Sequence, residues 1–479
     1  MSGVIGVFLN DDLGPAPDEA ARLAYFGLHA LQHRGQEASG IAVGDGKTII
    51  EVKDLGLVAQ VFKESGLRAL TGHIALGHAT YGLSRGKGDL PQWESAQPHM
   101  FSIGRQLIAL GFNGSLVNSA EIQSYLQENR MRLDSVADAE AIAALVGKFT
   151  EETSHIREGI ARTMNMVQGS YAAGIITESA LYAFRDPLGI CPLCLGELLD
   201  EEGQVRGWVV ASETCGLDIV GARYVRDIEP GEVVKISEVG VETLIARPAP
   251  NQALCVFEYV YFARPDSEMA GLSVYESRLQ LGEMLAAESP VDADVVMGVP
   301  DSGIPGAVGY AKASGIPYGE GLTKNRYVGR TFIKPTQALR QRGIRLKLNP
   351  MKHAVRDKRL VIVDDSIVRG NTSKQMVAML REAGAKEVHL RITSPPVISP
   401  CYFGIDMSSS DQLIGARLSL EEICEYVGAD SLAYLSLEGM VQATKIPASD
   451  LCMACFDGKY RINVSKLLSA NVAPKKEGQ

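Results

Sequence analysis

Apolar positions along this chain follow two rhythms. In the second half, short unbroken apolar runs alternate with stretches of helical spacing. The runs are Asp294-Val295-Val296-Met297-Gly298-Val299, Leu360-Val361-Ile362-Val363 and Glu387-Val388-His389-Leu390-Arg391-Ile392, and Lys374 to Leu380 opens a helical pattern between the last two. Runs of that length read as buried parallel strands, and their alternation with helices predicts a doubly wound α/β sheet. In the first half, many short strand-like runs, such as Gln106 to Leu110 and Ser170 to Ile176, are interrupted by helical stretches near 18–32 and 138–150. That pattern predicts layered α+β. Between the halves, Arg247-Pro248-Ala249-Pro250-Asn251-Gln252 is a polar, proline-marked connector. The expected division is residues 2–240, 253–445 and a C-terminal segment 446–479 that carries a CxxC and ends in a frayed tail.

The run Leu360 to Val363 leads into Asp364-Asp365-Ser366-Ile367-Val368-Arg369-Gly370-Asn371-Thr372-Ser373. Ligands of open α/β sheets bind beyond the carboxyl ends of the strands. The start of a helix there offers free backbone N–H groups to a phosphate, and Ser366, Thr372 and Ser373 add hydroxyls. Two adjacent carboxylates suit ribose hydroxyls or a magnesium-bound ligand better than a bare phosphate. Phosphate on one side and diol on the other describes a 5-phosphoribosyl group. An ordinary strand-to-helix turn with a capping Asp is the plainer alternative, and the whole string in this order weighs against it. The segment resembles the phosphoribosyl pyrophosphate (PRPP) loop of type I phosphoribosyltransferases, a resemblance that leaves the acceptor unnamed.

Composition bounds the function. The chain has 479 residues, 46% apolar and 22% charged, with a net charge of −10, so it reads as a globular enzyme of two to four domains without a general nucleic-acid-binding surface. No apolar run is long enough to span a bilayer, and Met1 to Gly6 lacks the basic start of a signal peptide, so a cytoplasmic location is expected. Its eight cysteines are then expected as thiols or metal ligands rather than disulfides.

Other segments fit the PRPP reading. Val299-Pro300-Asp301-Ser302-Gly303 is a small-residue turn suited to pyrophosphate. Lys324, Arg326 and Tyr327 open a basic, aromatic, glycine-containing run to Ile333 that suits a lid closing over an anionic substrate. Arg345, Lys347 and Asn349 form a further polar, largely cationic edge.

With Tyr261-Phe262-Ala263-Arg264-Pro265-Asp266-Ser267, these motifs resemble the glutamine PRPP amidotransferases (amidophosphoribosyltransferases), from Gly3 to about Tyr460. The resemblance implies an N-terminal glutaminase of the αββα N-terminal-nucleophile hydrolase fold followed by a type I phosphoribosyltransferase. Ammonia from the first displaces pyrophosphate from C1 of PRPP in the second, which is the first step of purine synthesis. It further implies PRPP contacts from Asp364, Asp365, Ser366, Val368, Arg369, Gly370, Asn371, Thr372, Ser373, Lys324, Arg326 and Tyr327. Magnesium would lie at Ser302, Asp364 and Asp365. Nucleotide feedback inhibitors and a homo-oligomer, dimer or tetramer, are implied as well.

Cys255, Cys401, Cys452 and Cys455 fall where the iron–sulfur branch of the family ligates a 4Fe-4S cluster. A four-thiolate zinc site or plain core cysteines are the alternatives, and Cys191 with Cys194 makes a rival CxxC pair. Relatives read Gly-Ile-Arg-Pro-Leu where this chain has Cys191, so that cysteine replaces an arginine and is expected to be structural.

The first half departs from the pattern. Ser2 stands at the position of the family's nucleophilic cysteine, behind Met1, whose removal before a small serine would free an amino group. A serine hydroxyl is far less ionised than a thiol. Thr80, in Gly77-His78-Ala79-Thr80-Tyr81, occupies the position of the arginine that holds the glutamine carboxylate, and carries no charge to do so. Phe112 replaces a histidine, whereas Asn113 and Gly114 keep the expected oxyanion-hole donors and Asp138 matches the acid that binds the glutamine amino group. Leu31-Gln32-His33-Arg34-Gly35-Gln36-Glu37 keeps the family form and is expected to be structural. Lys334 is the one visible change near the lid, where relatives often have an uncharged residue. Together Ser2 and Thr80 favour a weak or absent glutaminase over a working serine variant. Three functions follow: an amidophosphoribosyltransferase using glutamine or ammonia, a phosphoribosyltransferase with another amine acceptor, or a non-catalytic PRPP-binding regulator. The intact lid sequence speaks against the regulator, since a sensor has no need to exclude water.

Overall fold

The structure is a computed structural model, and it describes residues 1–82, 92–104, 106–131, 133–325, 348–407, 409–465 and 467. The first half is a sandwich of two antiparallel sheets. Strand Gly3–Leu9 lies inside the seven-stranded sheet, between Ile74–Thr80 and Val205–Ala211. All seven of its residues are buried, because both faces of the strand meet apolar layers. Val4 and Phe8 point between the sheets, with Leu76, Ala109 and Ala172. Ile5, Val7 and Leu9 point outward, under the helix Glu19–Ala30.

The second sheet has six strands and includes Gln106–Leu116 and Gly169–Ile176. Its outer face is covered by helices Asp138–Thr153 and Ile156–Met166, with Ile142, Val146 and Ile160 in the shared core. The order of layers is helix, sheet, sheet, helix. The two helices expected near 18–32 and 138–150 are present as Glu19–Ala30 and Asp138–Thr153. The helix Ile156–Met166, entered after a single turn, is not evident in the apolar pattern. The six-stranded sheet runs on through strand Gly240–Ala246.

The second half contains a four-stranded parallel sheet in the order Val295–Gly298, Arg359–Asp364, Glu387–Ile392, Ser431–Tyr434. Val296 also makes a parallel bridge to Tyr318 on the far side of its strand. The chain therefore leaves the first strand to one side and returns for Arg359–Asp364 on the other. The crevice between the ends of these two strands is a topological switch point, where ligands of such sheets bind. The stretch around Leu451–Cys452 pairs in parallel with Leu254–Cys255, which ties the end of the described chain to the start of the second half.

Candidate functional site

The two loops at the switch point meet. Helix Gly303–Ser314 starts directly after the first strand and presses on its neighbour: a Cβ on Gly303 would lie 2.5 Å from the Val363 carbonyl oxygen. Only glycine allows that approach, and it brings Ser302 to Asp365. The Ser302 hydroxyl donates to Asp365 Oδ2 at 2.5 Å, and the Ser366 hydroxyl donates to Asp365 Oδ1 at 2.7 Å. Asp364 Oδ1 accepts from the Asp365 backbone N–H at 3.0 Å. Burial and the mutual repulsion of two neighbouring acids push the Asp364 carboxyl well above its usual range. Burial also raises Asp365, against the two serine hydroxyls and the charge of Arg278. A pair of this kind, ringed by hydroxyl oxygens, has the donor chemistry of a hard divalent cation.

Gly370 takes a left-handed conformation, φ 76°, and starts helix Asn371–Glu382. Asp364, Asp365, Ser366, Val368, Arg369, Gly370, Asn371, Thr372 and Ser373 all line one cavity of about 660 Å³, together with Ser302 and Lys324. The Lys324 ammonium pairs with Asp301 at 2.6 Å, which links the first loop to the short strand Leu322–Lys324. Arg326, Tyr327, Lys334, Arg345 and Lys347 lie outside the described residues, and Asn349 pairs with Thr323 on a short ribbon. The remaining wall was not foreseen from the site motifs: Phe257, Tyr261 and Phe262 from the segment after the connector, Ile405 to Met407, and Tyr81 from the first half.

Tyr81 leads to the second site. Its backbone N–H donates to the Ser2 hydroxyl at 3.1 Å. The Ser2 backbone N–H donates to Asn113 Oδ1 at 2.6 Å, and Asn113 Nδ2 is buried without a hydrogen-bond partner among the described residues. Gly114 sits at φ 153° with the Ser170 carbonyl oxygen 2.0 Å from where a Cβ would be, so no other residue fits there. Asn113 and Gly114 thus lie beside the Ser2 hydroxyl. The Thr80 hydroxyl is buried and lies 3.0 Å from His78 Nδ1, while His78 Nε2 faces the Phe112 carbonyl at 2.9 Å. Burial lowers the His78 pKa to about 4, so neither residue offers a cation near neutral pH. Asp138 Oδ2 accepts from the Leu116 backbone N–H at 2.9 Å, and burial raises its pKa. Ahead of Ser2, the Met1 amino group is buried, donates to the Gly404 carbonyl at 2.6 Å, and has its pKa lowered to about 5, chiefly by burial.

A buried ionic cluster lies beside Ser2. The Arg34 guanidinium donates to Glu258 at 2.5 Å, to Glu213, and to the Ser2 carbonyl at 3.3 Å. His33 Nε2 is 2.6 Å from Glu213. Arg34 belongs to the Leu31 to Glu37 motif, but its partners are some 180 and 224 residues away in sequence, and nothing local announces them.

Cys255 and Cys452 are direct neighbours across the parallel bridge. Burial chiefly raises the Cys255 thiol, and Cys452, Cys401 and Cys455 are close enough to push it further the same way. The Phe403 N–H points at Cys401 Sγ, 3.4 Å away, and the Cys455 carbonyl accepts from Ile398 and Ser399. Among the described residues no three His, Cys, Asp or Glu side chains converge tightly enough for a single metal ion. Cys191 instead neighbours Asp186, Glu258 and Ser170, and Cys194 Sγ faces the Ala211 carbonyl, so the rival CxxC pair is built into the core of the first half.

Two family models match: a glutamine amidotransferase domain over residues 90–218 and a phosphoribosyl transferase domain over residues 281–393. Among curated proteins, the amidophosphoribosyltransferase of Mycobacterium leprae is 50% identical, covering 98% of this chain and 84% of its own length. That of Synechococcus elongatus is 50% identical over 93% of this chain and 90% of its own. Among solved structures, the glutamine PRPP amidotransferase from B. subtilis, complexed with ADP and GMP, matches with a TM-score of 0.86 and 43% identity, covering 96% of this chain and 98% of that one.

Proposed function

The chain belongs to the amidophosphoribosyltransferase family, and from that premise we propose that its working centre is the cavity at the switch point and that ammonia is its effective nitrogen source. The reaction places an amino group on C1 of PRPP and releases pyrophosphate, the first step of purine biosynthesis. The observation that carries the assignment is the contact of Ser302 with Asp365, which joins the two phosphate-loop candidates on one cavity. The backbone at the start of helix Asn371–Glu382 receives the 5′-phosphate, with Thr372 and Ser373. Asp364 and Asp365 face the ribose hydroxyls. The Ser302 loop and Lys324 take the pyrophosphate, and Lys324 exchanges Asp301 for it.

Charge accumulates on the leaving pyrophosphate while C1 gains oxocarbenium character, so fixed cationic groups lower the barrier. Magnesium fits the donor set of Ser302, Asp364 and Asp365, and would neutralise charge on the leaving group. Phe257, Tyr261 and Phe262 keep the acceptor side apolar, which favours ammonia over water.

For the glutaminase, the support is negative in charge and chemistry. Thr80 shares its hydroxyl with a neutral histidine and offers no partner for a carboxylate. Ser2 offers a hydroxyl, which is far less ionised than a thiol near neutral pH. The four cysteines are read as ligands of a 4Fe-4S cluster, because they gather near the Leu254–Leu451 pairing and thiolates suit such clusters. Nucleotide feedback accompanies this reading, since one structural relative was solved with ADP and GMP. Incubation with PRPP, magnesium and either ammonium or glutamine tests it. Pyrophosphate released with ammonium alone is expected. Equal release with glutamine would restore a serine glutaminase, and release with neither would sink the assignment.

A further inference from the structure

The phosphate-binding loop is braced from outside by a helix that none of its motifs includes. Helix Leu420–Val427 has a capping box between Ser419 and Glu422, which fixes where it starts. Near its other end, Tyr426 lies against the loop. A Cβ on Gly370 would meet the Tyr426 ring at 3.2 Å and Ile414 at 2.7 Å. The Tyr426 hydroxyl donates to Asn371 Oδ1 at 2.9 Å, and the Lys374 ammonium sits 4.2 Å from the centre of its ring. One side chain thus touches Gly370, Asn371 and Lys374, and the first two line the cavity.

Asparagine at this place has two faces. Its Oδ1 would repel a phosphate oxygen, and its Nδ2 would donate to one. A hydroxyl that occupies Oδ1 leaves the donor face for the ligand. We propose that Tyr426 is a positioning residue for the phosphate end of the cavity: by holding Asn371 Oδ1, it commits the Asn371 amide to donate to the 5′-phosphate of the substrate. The proposal rests on the assignment of this loop to the phosphoribosyl group.

The test uses the full chain and two probes, ribose 5-phosphate and inorganic pyrophosphate. Tyr426→Phe keeps the ring against Gly370 and removes only the hydroxyl. The KM for PRPP and the Kd for ribose 5-phosphate should both rise about fivefold, the worth of one hydrogen bond. The Kd for pyrophosphate and kcat should stay where they are. Asn371→Ala should raise the same two constants, and the double variant should be no worse than Asn371→Ala alone. A Tyr426→Phe variant that weakens pyrophosphate as much as ribose 5-phosphate, changes neither, or adds fully to Asn371→Ala overturns the proposal. If ribose 5-phosphate fails to bind the wild-type protein, the loop assignment itself falls. If it binds wild type and Tyr426→Phe alike, only the role of Tyr426 falls.

Discussion

Asp364 and Thr80 show how single residues set the two sites apart. A carboxyl whose pKa is raised by folding binds its proton more tightly in the folded state. Asp364 therefore costs stability at neutral pH, and the cost fades as pH falls through its folded pKa toward the ~3.9 of an unfolded aspartate. Asp364→Asn should melt above the wild type at pH 8, with the gap closing toward pH 4. Its PRPP turnover should fall on the order of a hundredfold. A gap in melting temperature that ignores pH would contradict the burial of charge at this position. At the other site, by the family resemblance, Ser2 and Thr80 stand where a cysteine and an arginine are expected. Ser2→Cys or Thr80→Arg alone should leave glutamine-driven pyrophosphate release near background, while the pair should raise it. A single substitution that suffices would show the other position to be dispensable. Both departures are legible in sequence, because each replaces a more reactive or charged group by a less reactive, neutral one at a matched position. That Thr80 is tied to His78 is not legible, since it depends on rotamers at the end of a strand.

Elements account for what the motifs alone do not. The strand–loop–helix at Arg359–Asp364 and Asn371–Glu382 is readable from its apolar run and turn residues. The Val299 to Gly303 turn is readable too, but their contact depends on strand order, which no local pattern carries. Gly303 is where that order is enforced. Gly303→Ala places a methyl against the Val363 carbonyl, and the backbone must yield. It should cost about 1–3 kcal/mol in urea denaturation and raise the KM for PRPP, as Ser302 moves off Asp365. Unchanged stability would mean that the helix Gly303–Ser314 can slide freely on the sheet. Tyr426 belongs to the same class: it lies 55 residues from Asn371 in sequence, on a helix whose own pattern announces only a cap.

At the scale of the whole molecule, a buried charged cluster built from distant segments joins the halves. Arg34 and Glu213 belong to the first half and Glu258 to the second, and all three are buried. Arg34→Met would leave two carboxylates buried without their cation and should cost about 3–5 kcal/mol, read as an earlier denaturant midpoint. Cys255, Cys401, Cys452 and Cys455 lie near one another within the second half. Protein purified without oxygen should contain iron and acid-labile sulfide in equal amounts, and Cys255→Ala should lose both. Zinc in their stead would refute the cluster.

Tyr81 donates its backbone N–H to Ser2 and also lines the cavity at the switch point. A chain that no longer cuts glutamine would still need this residue. An oxocarbenium centre reacts with whichever nucleophile arrives first, and bulk water outnumbers ammonia overwhelmingly. Widening the wall by Tyr81→Ala should therefore spare pyrophosphate release yet divert the sugar to ribose 5-phosphate. The N-terminal half would then persist as a barrier against wasted substrate, long after the chemistry that first shaped it had lapsed.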